Sequence, residues 1–272
     1  MKSAVTISLV AEAAGGPFVF WHDIPAAAAR AKELGFDALE VFPPDGYSDY
    51  RDKLDDVSSQ TQGRIVIAAM GTGAGWVKHK LTLTSPDATI RENARKFIRQ
   101  IVATAACFNA PAIVGSMQGR SEHGVTRSQA LNHLRDALNE IGEDARSRNQ
   151  ILLFEPLNRY ETNLINTVQQ GIELLASLET KNVRLLLDLF HTNIEEQDVA
   201  ASIRLAGAAV GHIHLADSNR RAAGFGHTDF APIIKALRDI HFTGYLSAEI
   251  LPLPNSDAAA VQTIQAFKAL TQ

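Results

Sequence analysis

Cysteine is nearly absent: Cys107 is the one thiol in 272 residues, so no disulfide can form within the chain. A disulfide framework is thereby excluded, and a reducing compartment such as the cytoplasm is the expected location. Basic runs are missing as well. Lys and Arg number 26 against 30 Asp and Glu, mixed along the chain to a net charge of −4. Without a basic track to follow a phosphate backbone, nucleic acid is not an expected partner. Nor does any apolar stretch approach the ~20 residues of a membrane helix, so no membrane partner is expected. The opening MKSAVTISLVAEAAGG has the lysine and small residues of a signal peptide, but its apolar residues alternate with Thr6 and Ser8, the pattern of a first strand. No linker, low-complexity tract or break in composition appears, and one domain over residues 1–272 is expected.

Apolar residues, by contrast, are plentiful at 46%, enough for a large core. They gather in eight short runs rich in Val, Ile and Leu: 4–10, 37–42, 64–70, 111–117, 151–155, 184–188, 211–216 and 245–250. Continuous apolar runs of this length suit parallel strands buried on both faces. Between them lie segments with a polar face and helix signals. IPAAAARAKELG stops at Gly35, PDATIRENARKFIRQIVATAACF follows a start at Ser85-Pro86, and SQALNHLRDALNEIGEDARSR forms a third. Eight strand-helix units in succession point to an α/β (β/α)8 barrel. The connections 12–23, with Phe18, Phe20 and Trp21, and 71–87 are longer than linkage requires. Such loops shape or cover a pocket, although the three aromatics could equally pack on a partner subunit.

Four of the runs carry, at or near their ends, a side chain able to bind a metal. ILLFEPLNRYE, VRLLLDLFHTN, VGHIHLADSNR and GYLSAEILP supply Glu155, Asp188, His214 and Glu249, separated by 33, 26 and 35 residues. Residues at the carboxyl ends of successive barrel strands point into one mouth. Three carboxylates and an imidazole gathered there make a hard, oxygen-rich site for one divalent ion. Manganese is the first expectation; magnesium, cobalt and zinc are also compatible. Each residue has a plainer reading: Glu155 could pair with Arg159, Asp188 could cap a helix, and Glu249 could pair with a nearby arginine. His212 lies two positions before His214, deeper in the barrel, and is read as support for the metal ligands or as core. Ser116, Gln118 and Arg120 in GSMQGR could bind substrate hydroxyls or a phosphate, or only close their loop. His227 is equally open, and Asp229 suits a helix cap.

EPLNRYE, DLFHTNIEE, HIHLADSNRRAAGFG and the final AE, in this order and spacing, resemble the xylose isomerase-like TIM barrels. Within them the resemblance is to ketose 3-epimerases of the tagatose and psicose type, with hydroxypyruvate isomerase as a neighbour. It spans all eight units and is specific mainly from residue 151 onward. It implies that Glu155, Asp188, His214 and Glu249 bind one divalent ion, the set already reached from spacing. It further implies that Glu155 and Glu249 form an acid/base pair and that Glu161, His191 and Arg220 contact substrate oxygens. The chain departs from those epimerases at Asp217, where they usually carry glutamate, and at Asp229-Phe230, where Pro-Trp is common.

The expected function is that of a metal-dependent sugar isomerase or epimerase on a ketose or keto-acid, working through an enediolate on a small carbohydrate, with room for a homo-oligomer. A dehydratase or other lyase would use the same site. An endonuclease IV-like phosphodiesterase is disfavoured, because the early strand ends AAMGTG and IVGSMQG lack the histidines that a three-zinc cluster requires.

Overall fold

The computed structural model describes residues 1–47, 50–122 and 124–272. Strands β1 (Lys2–Ser8), β2 (Phe20–Trp21), β3 (Ala38–Phe42), β4 (Val66–Gly71), β5 (Ala112–Val114), β6 (Leu152–Phe154), β7 (Val183–Asp188), β8 (Val210–His214) and β9 (Tyr245–Ala248) form one sheet. All pairings are parallel, and β1 also pairs with β9 from Lys2↔Tyr245 to Val5↔Ala248, which closes the sheet. Eight of the strands are those expected from the sequence. The ninth, β2, is a two-residue addition to the end of β1 and carries no periodic signal of its own. The result is the expected (β/α)8 TIM barrel, wrapped by helices.

Those helices are α1 (Ile24–Leu34), α2 (Tyr50–Thr61), α3 (Ala74–His79), α4 (Ala88–Cys107), α5 (Arg127–Ser147), α6 (Val168–Ser177), α7 (Leu189–Glu195), α8 (Val199–Ala206), α9 (Phe230–Asp239) and α10 (Ser256–Thr271). The α1 helix stops at Gly35, whose φ of +86° is free of penalty only for glycine. One expected boundary moves. Asp87, not Ser85, caps α4, accepting from the Thr89 N–H at 2.7 Å, while the Ser85 hydroxyl accepts from Asp87 one turn earlier. The carboxylate adjoins the first free N–H groups and carries the charge that favours a helix start. The run 111–117 also shortens: β5 ends at Val114, and Ser116–Gln118 form a single 3-10 turn.

Alternation divides each strand between two cores. Val5, Ile7, Leu39, Val41, Leu152, Phe154, Leu185 and Leu187 join the main cluster with helix residues such as Ile101, Leu134 and Ile234. The alternate positions face inward and form smaller clusters, Ala69 with Ile113, Leu153 and Leu186, and Ala4 with Ala38 and Ala68. Barrel interiors are usually filled by Val, Ile and Leu. Here alanines take several of those positions, and Glu40, His212 and His214 are buried as well. The apolar half of the interior therefore has few members. Leu153→Ala should cost about 2–5 kcal/mol of stability, measured as a lower urea midpoint with an unchanged slope.

Candidate active site

Glu155, Asp188, His214 and Glu249 stand at or just beyond the ends of β6, β7, β8 and β9, and their donor atoms all lie within 4.8 Å of one another. His214 Nδ1 is 3.7 Å from Glu155 Oε1, 3.6 Å from Asp188 Oδ2 and 3.5 Å from Glu249 Oε2. Those separations exceed a good hydrogen bond. Glu155 Oε1, Asp188 Oδ2 and His214 Nδ1 are buried and have no hydrogen-bond partner. Each such orphan costs about 1–3 kcal/mol, so three of them turned on one point call for a cation. The donor set, three carboxylates and an imidazole, fits a hard divalent ion.

The carboxylates reach this point by different routes. Asp188 serves two ends: Oδ1 caps α7 through the Phe190 N–H at 2.7 Å, leaving Oδ2 for the cluster. Capping and site membership are therefore compatible. Glu155 does not pair with Arg159, whose guanidinium goes instead to Glu195 at 3.0 Å. Its carboxylate fits because residue 115 is glycine; a Cβ there would sit 2.4 Å from Glu155 Oε2. Gln118 donates to the Glu155 carbonyl at 3.0 Å, a positioning role inside the protein. Burial, with the Glu249 and Asp188 carboxylates close by, raises the Glu155 pKa well above the ordinary carboxylate range, against the pull of His214. Burial disfavours charge on Asp188 too, but His191, His214 and Arg220 overcome it and hold that carboxyl low.

Below the cluster lies a residue the sequence reading did not single out. Glu40, fully buried on β3, bonds His212 Nε2 at 2.6 Å and His214 Nε2 at 2.9 Å. Its signal was present as an acidic residue in the middle of the apolar ALEVF. Burial raises the Glu40 pKa, yet the His214 and His212 imidazoles outweigh it and keep the carboxylate charged. The charged Glu40 carboxylate accepts from the His214 Nε2–H and so leaves Nδ1 facing the mouth. His212 thus supports the ligands through Glu40.

Above the cluster is a cavity of about 550 Å³ whose walls include Glu155, Glu249, Glu161, His191 and Arg220. Asn158 accepts from the Tyr160 N–H, so its amino group faces His191 Nδ1 at 2.7 Å and Glu161 Oε1 at 3.1 Å. His191 Nδ1 is therefore an acceptor, and its Nε2–H points at Glu155 and Asp188, each 3.7 Å away. Burial lowers the His191 pKa more than Asp188 raises it, keeping the ring neutral. Arg220 bonds Glu249 at 2.6 Å and lies 3.5 Å from Glu161, with its guanidinium 4.8 Å from the centre of the Phe190 ring. Its φ of +58° is strained for a residue with a side chain and aims it inward. Phe18 lines this cavity and packs on Trp21 and Phe42, whereas Phe20 and Trp21 do not line it.

Asp217, where the epimerase pattern differs, organises the loop beyond β8. Its carboxylate accepts from the backbone N–H groups of Ser218, Gly224, Gly226 and Thr228. Burial raises its pKa, but those four donors, Thr228 first, bring it below the usual value. Asp229 caps α9 through Ala231, and the His227 N–H donates to the Ser218 hydroxyl.

A closed parallel barrel with an oxygen-rich donor cluster at its carboxyl mouth defines the class of (β/α)8 barrels whose donor set fits a divalent cation. The chain belongs to the xylose isomerase-like TIM barrel family, whose profile matches residues 28–270. It is 31% identical to the D-psicose 3-epimerase of Agrobacterium fabrum over 81% of this chain and 76% of that one. It is 30% identical to the L-ribulose 3-epimerase of Mesorhizobium japonicum over 81% of this chain and 73% of that one. The D-psicose 3-epimerase of Clostridium cellulolyticum H10, solved with D-tagatose, superposes with a TM-score of 0.79 over 100% of both chains at 22% identity, a likeness of fold. Epimerases are isomerases, and the chain is an enzyme of that class.

Two outcomes test this geometry. Glu40→Ala should weaken divalent-ion binding about 10–100-fold by titration calorimetry, because the imidazole loses its orienting partner. Asp217→Asn should lower stability at neutral pH. A depressed carboxyl stabilises the fold above its unfolded pKa, roughly 3.9, and ceases to do so as pH falls through the folded value. The deficit of the variant should therefore shrink below about pH 4 in urea melts.

Proposed function

We propose that this chain is a divalent-metal-dependent ketose epimerase that works by proton transfer next to a carbonyl. The observation that carries the reading is the set of unpaired buried donors of Glu155, Asp188 and His214 facing one point with Glu249, beneath a cavity that also holds His191 and Arg220. The relatives named D-psicose and L-ribulose 3-epimerase supply the substrate class. Manganese in a cytoplasmic enzyme of carbohydrate metabolism belongs to the same reading.

A hydrogen beside a ketone is too weakly acidic for a carboxylate acting alone. The ion, held by Glu155, Asp188, His214 and Glu249, would supply the Lewis acidity that stabilises negative charge on the substrate oxygens. Glu155 and Glu249 come from β6 and β9, with β7 and β8 between them, and so flank the cluster from two sides. One removes the proton and the other returns one to the opposite face of the same carbon. The His191 Nε2–H and the Arg220 guanidinium are placed to donate to the oxygens of the enediolate, His191 oriented by Asn158 and Arg220 flanked by Glu161 and Glu249.

Incubating the protein with manganese and D-psicose, D-tagatose, D-fructose or L-ribulose in deuterated water should yield an epimer carrying deuterium at the reacting carbon, read by NMR. Product that retains the original hydrogen would sink the proton-transfer reading in favour of a hydride shift. Glu155→Gln and Glu249→Gln should each reduce turnover by about 10²–10⁴-fold under saturating metal.

A further inference from the structure

Beyond Glu161 the active-site cavity adjoins a second one of about 280 Å³. The two share Trp76, Ser116, Leu157 and Glu161 as walls. At ~30 Å³ per water in the liquid, the second space equals roughly nine waters, room for one sugar ring. Its outer wall comes from the long connection after β4 and from the GSMQGR loop after β5, two features that the reaction above does not use.

This space is built, not a gap between loose loops. The Leu83 N–H donates to the Met117 carbonyl at 2.8 Å, and the Thr84 hydroxyl donates to the Gln118 and Arg120 carbonyls at 3.0 and 3.1 Å. The Thr162 hydroxyl, from the loop after β6, donates to the Gly119 carbonyl at 2.7 Å. Gly119 itself has φ of +81°, and a Cβ there would meet Thr84 Oγ1 at 2.3 Å, so the approach of the loops requires glycine. Three successive loops are thus stitched around a preformed hollow.

The lining selects among ligands. Lys80 and Arg120 bring positive charge, but Glu122 and Glu161 bring as much negative charge. A phosphate would meet two carboxylates, whereas a neutral polyol can accept from the cations and donate to the carboxylates. The hydroxyls of Thr82 and Ser85 can do either. Trp76, 40% exposed, offers an aromatic surface to a ring's C–H face, with the Lys80 ammonium 5.1 Å from the indole centre. We propose that this cavity is a subsite for a second, neutral sugar ring, so that the enzyme takes a ketose in glycosidic linkage in preference to the free monosaccharide. This inference rests on the ketose reading above and deepens it.

The test compares deuterium exchange, with manganese, into D-fructose, 1-O- and 6-O-α-glucosyl-D-fructose, and D-fructose 1- and 6-phosphate. One glucosyl ketose should exceed D-fructose in kcat/KM about tenfold, the worth of an aromatic platform with its hydrogen bonds. Arg120→Ala, and Ser85→Trp, which fills the hollow, should each remove that advantage. Trp21→Phe leaves Trp76 as the sole tryptophan of the 2, and its fluorescence should change saturably with the preferred glucosyl ketose. Exchange in D-fructose that matches or exceeds both glucosyl ketoses overturns the subsite and leaves the reaction standing. A phosphate ester that outpaces them overturns it in favour of an anion site. Exchange in none of the sugars overturns the reaction and this inference together.

Discussion

The Glu40 carboxylate between two imidazoles is the interaction on which the rest of this site depends. A carboxylate at the centre of a barrel has lost its water and must recover the difference from partners. His212 and His214 provide it, at 2.6 and 2.9 Å, and their attraction outweighs the burial that would otherwise protonate Glu40. In return Glu40 fixes the orientation of the His214 ring by bonding its Nε2. With Nε2 committed downward, Nδ1 has only the mouth to face, where the carboxylates of β6, β7 and β9 gather.

Above that base, the cluster reuses groups already committed to the fold. Asp188 spends one oxygen on the start of α7 and offers the other to the site. The helix cap fixes its rotamer, which makes the free oxygen a well-placed donor. Arg220 depends on a similar economy of position. Asp217, three residues earlier, pins the loop through four backbone N–H groups, and the same turn holds Arg220 at positive φ with its guanidinium on Glu249. What holds the loop also positions the charge. Such precision suits chemistry in which donors must be oriented before the substrate arrives.

Much of this was legible in the sequence because parallel strands advertise themselves twice. Their apolar runs mark the barrel, and the first polar residue after each run marks the mouth, which is how Glu155, Asp188, His214 and Glu249 could be assembled from spacing. Glu161, His191 and Arg220 came only with the family resemblance, because they sit in loops with no periodic frame. Glu40 escaped because it lies within a strand, where position does not say whether an acidic residue faces solvent, a helix or the interior. Settling that requires knowing that His212 and His214 sit across the barrel, a contact spanning more than 170 residues. The α3 helix and the shift of the α4 start from Ser85 to Asp87 escaped for a local reason. Six residues leave no amphipathic stripe, and two adjacent capping candidates differ by less than sequence can resolve.

The division between base and walls also explains how one barrel can keep its chemistry while changing its substrate. The clustered donors of Glu155, Asp188, His214 and Glu249 stand at strand ends, with Glu40 bonded to His214, so they are held by the barrel's own hydrogen-bonded frame. The surfaces that meet the rest of the substrate come from elsewhere: the connection from Gly71 to Asp87, the GSMQGR turn, and the loop that Asp217 organises. The first two are tied to each other through Leu83 with Met117, and the GSMQGR turn to the loop after β6 through Thr162 with Gly119. Substitution at Thr82, Ser85 or Arg120 alters the space beyond Glu161 while leaving Gln118 on the Glu155 carbonyl and Arg220 on Glu249. The departure from the epimerase pattern at Asp217 lies in this outer layer and not in the cluster of Glu155, Asp188, His214 and Glu249. Selection among sugars is therefore expected to follow loop contacts, while proton transfer stays with the strands.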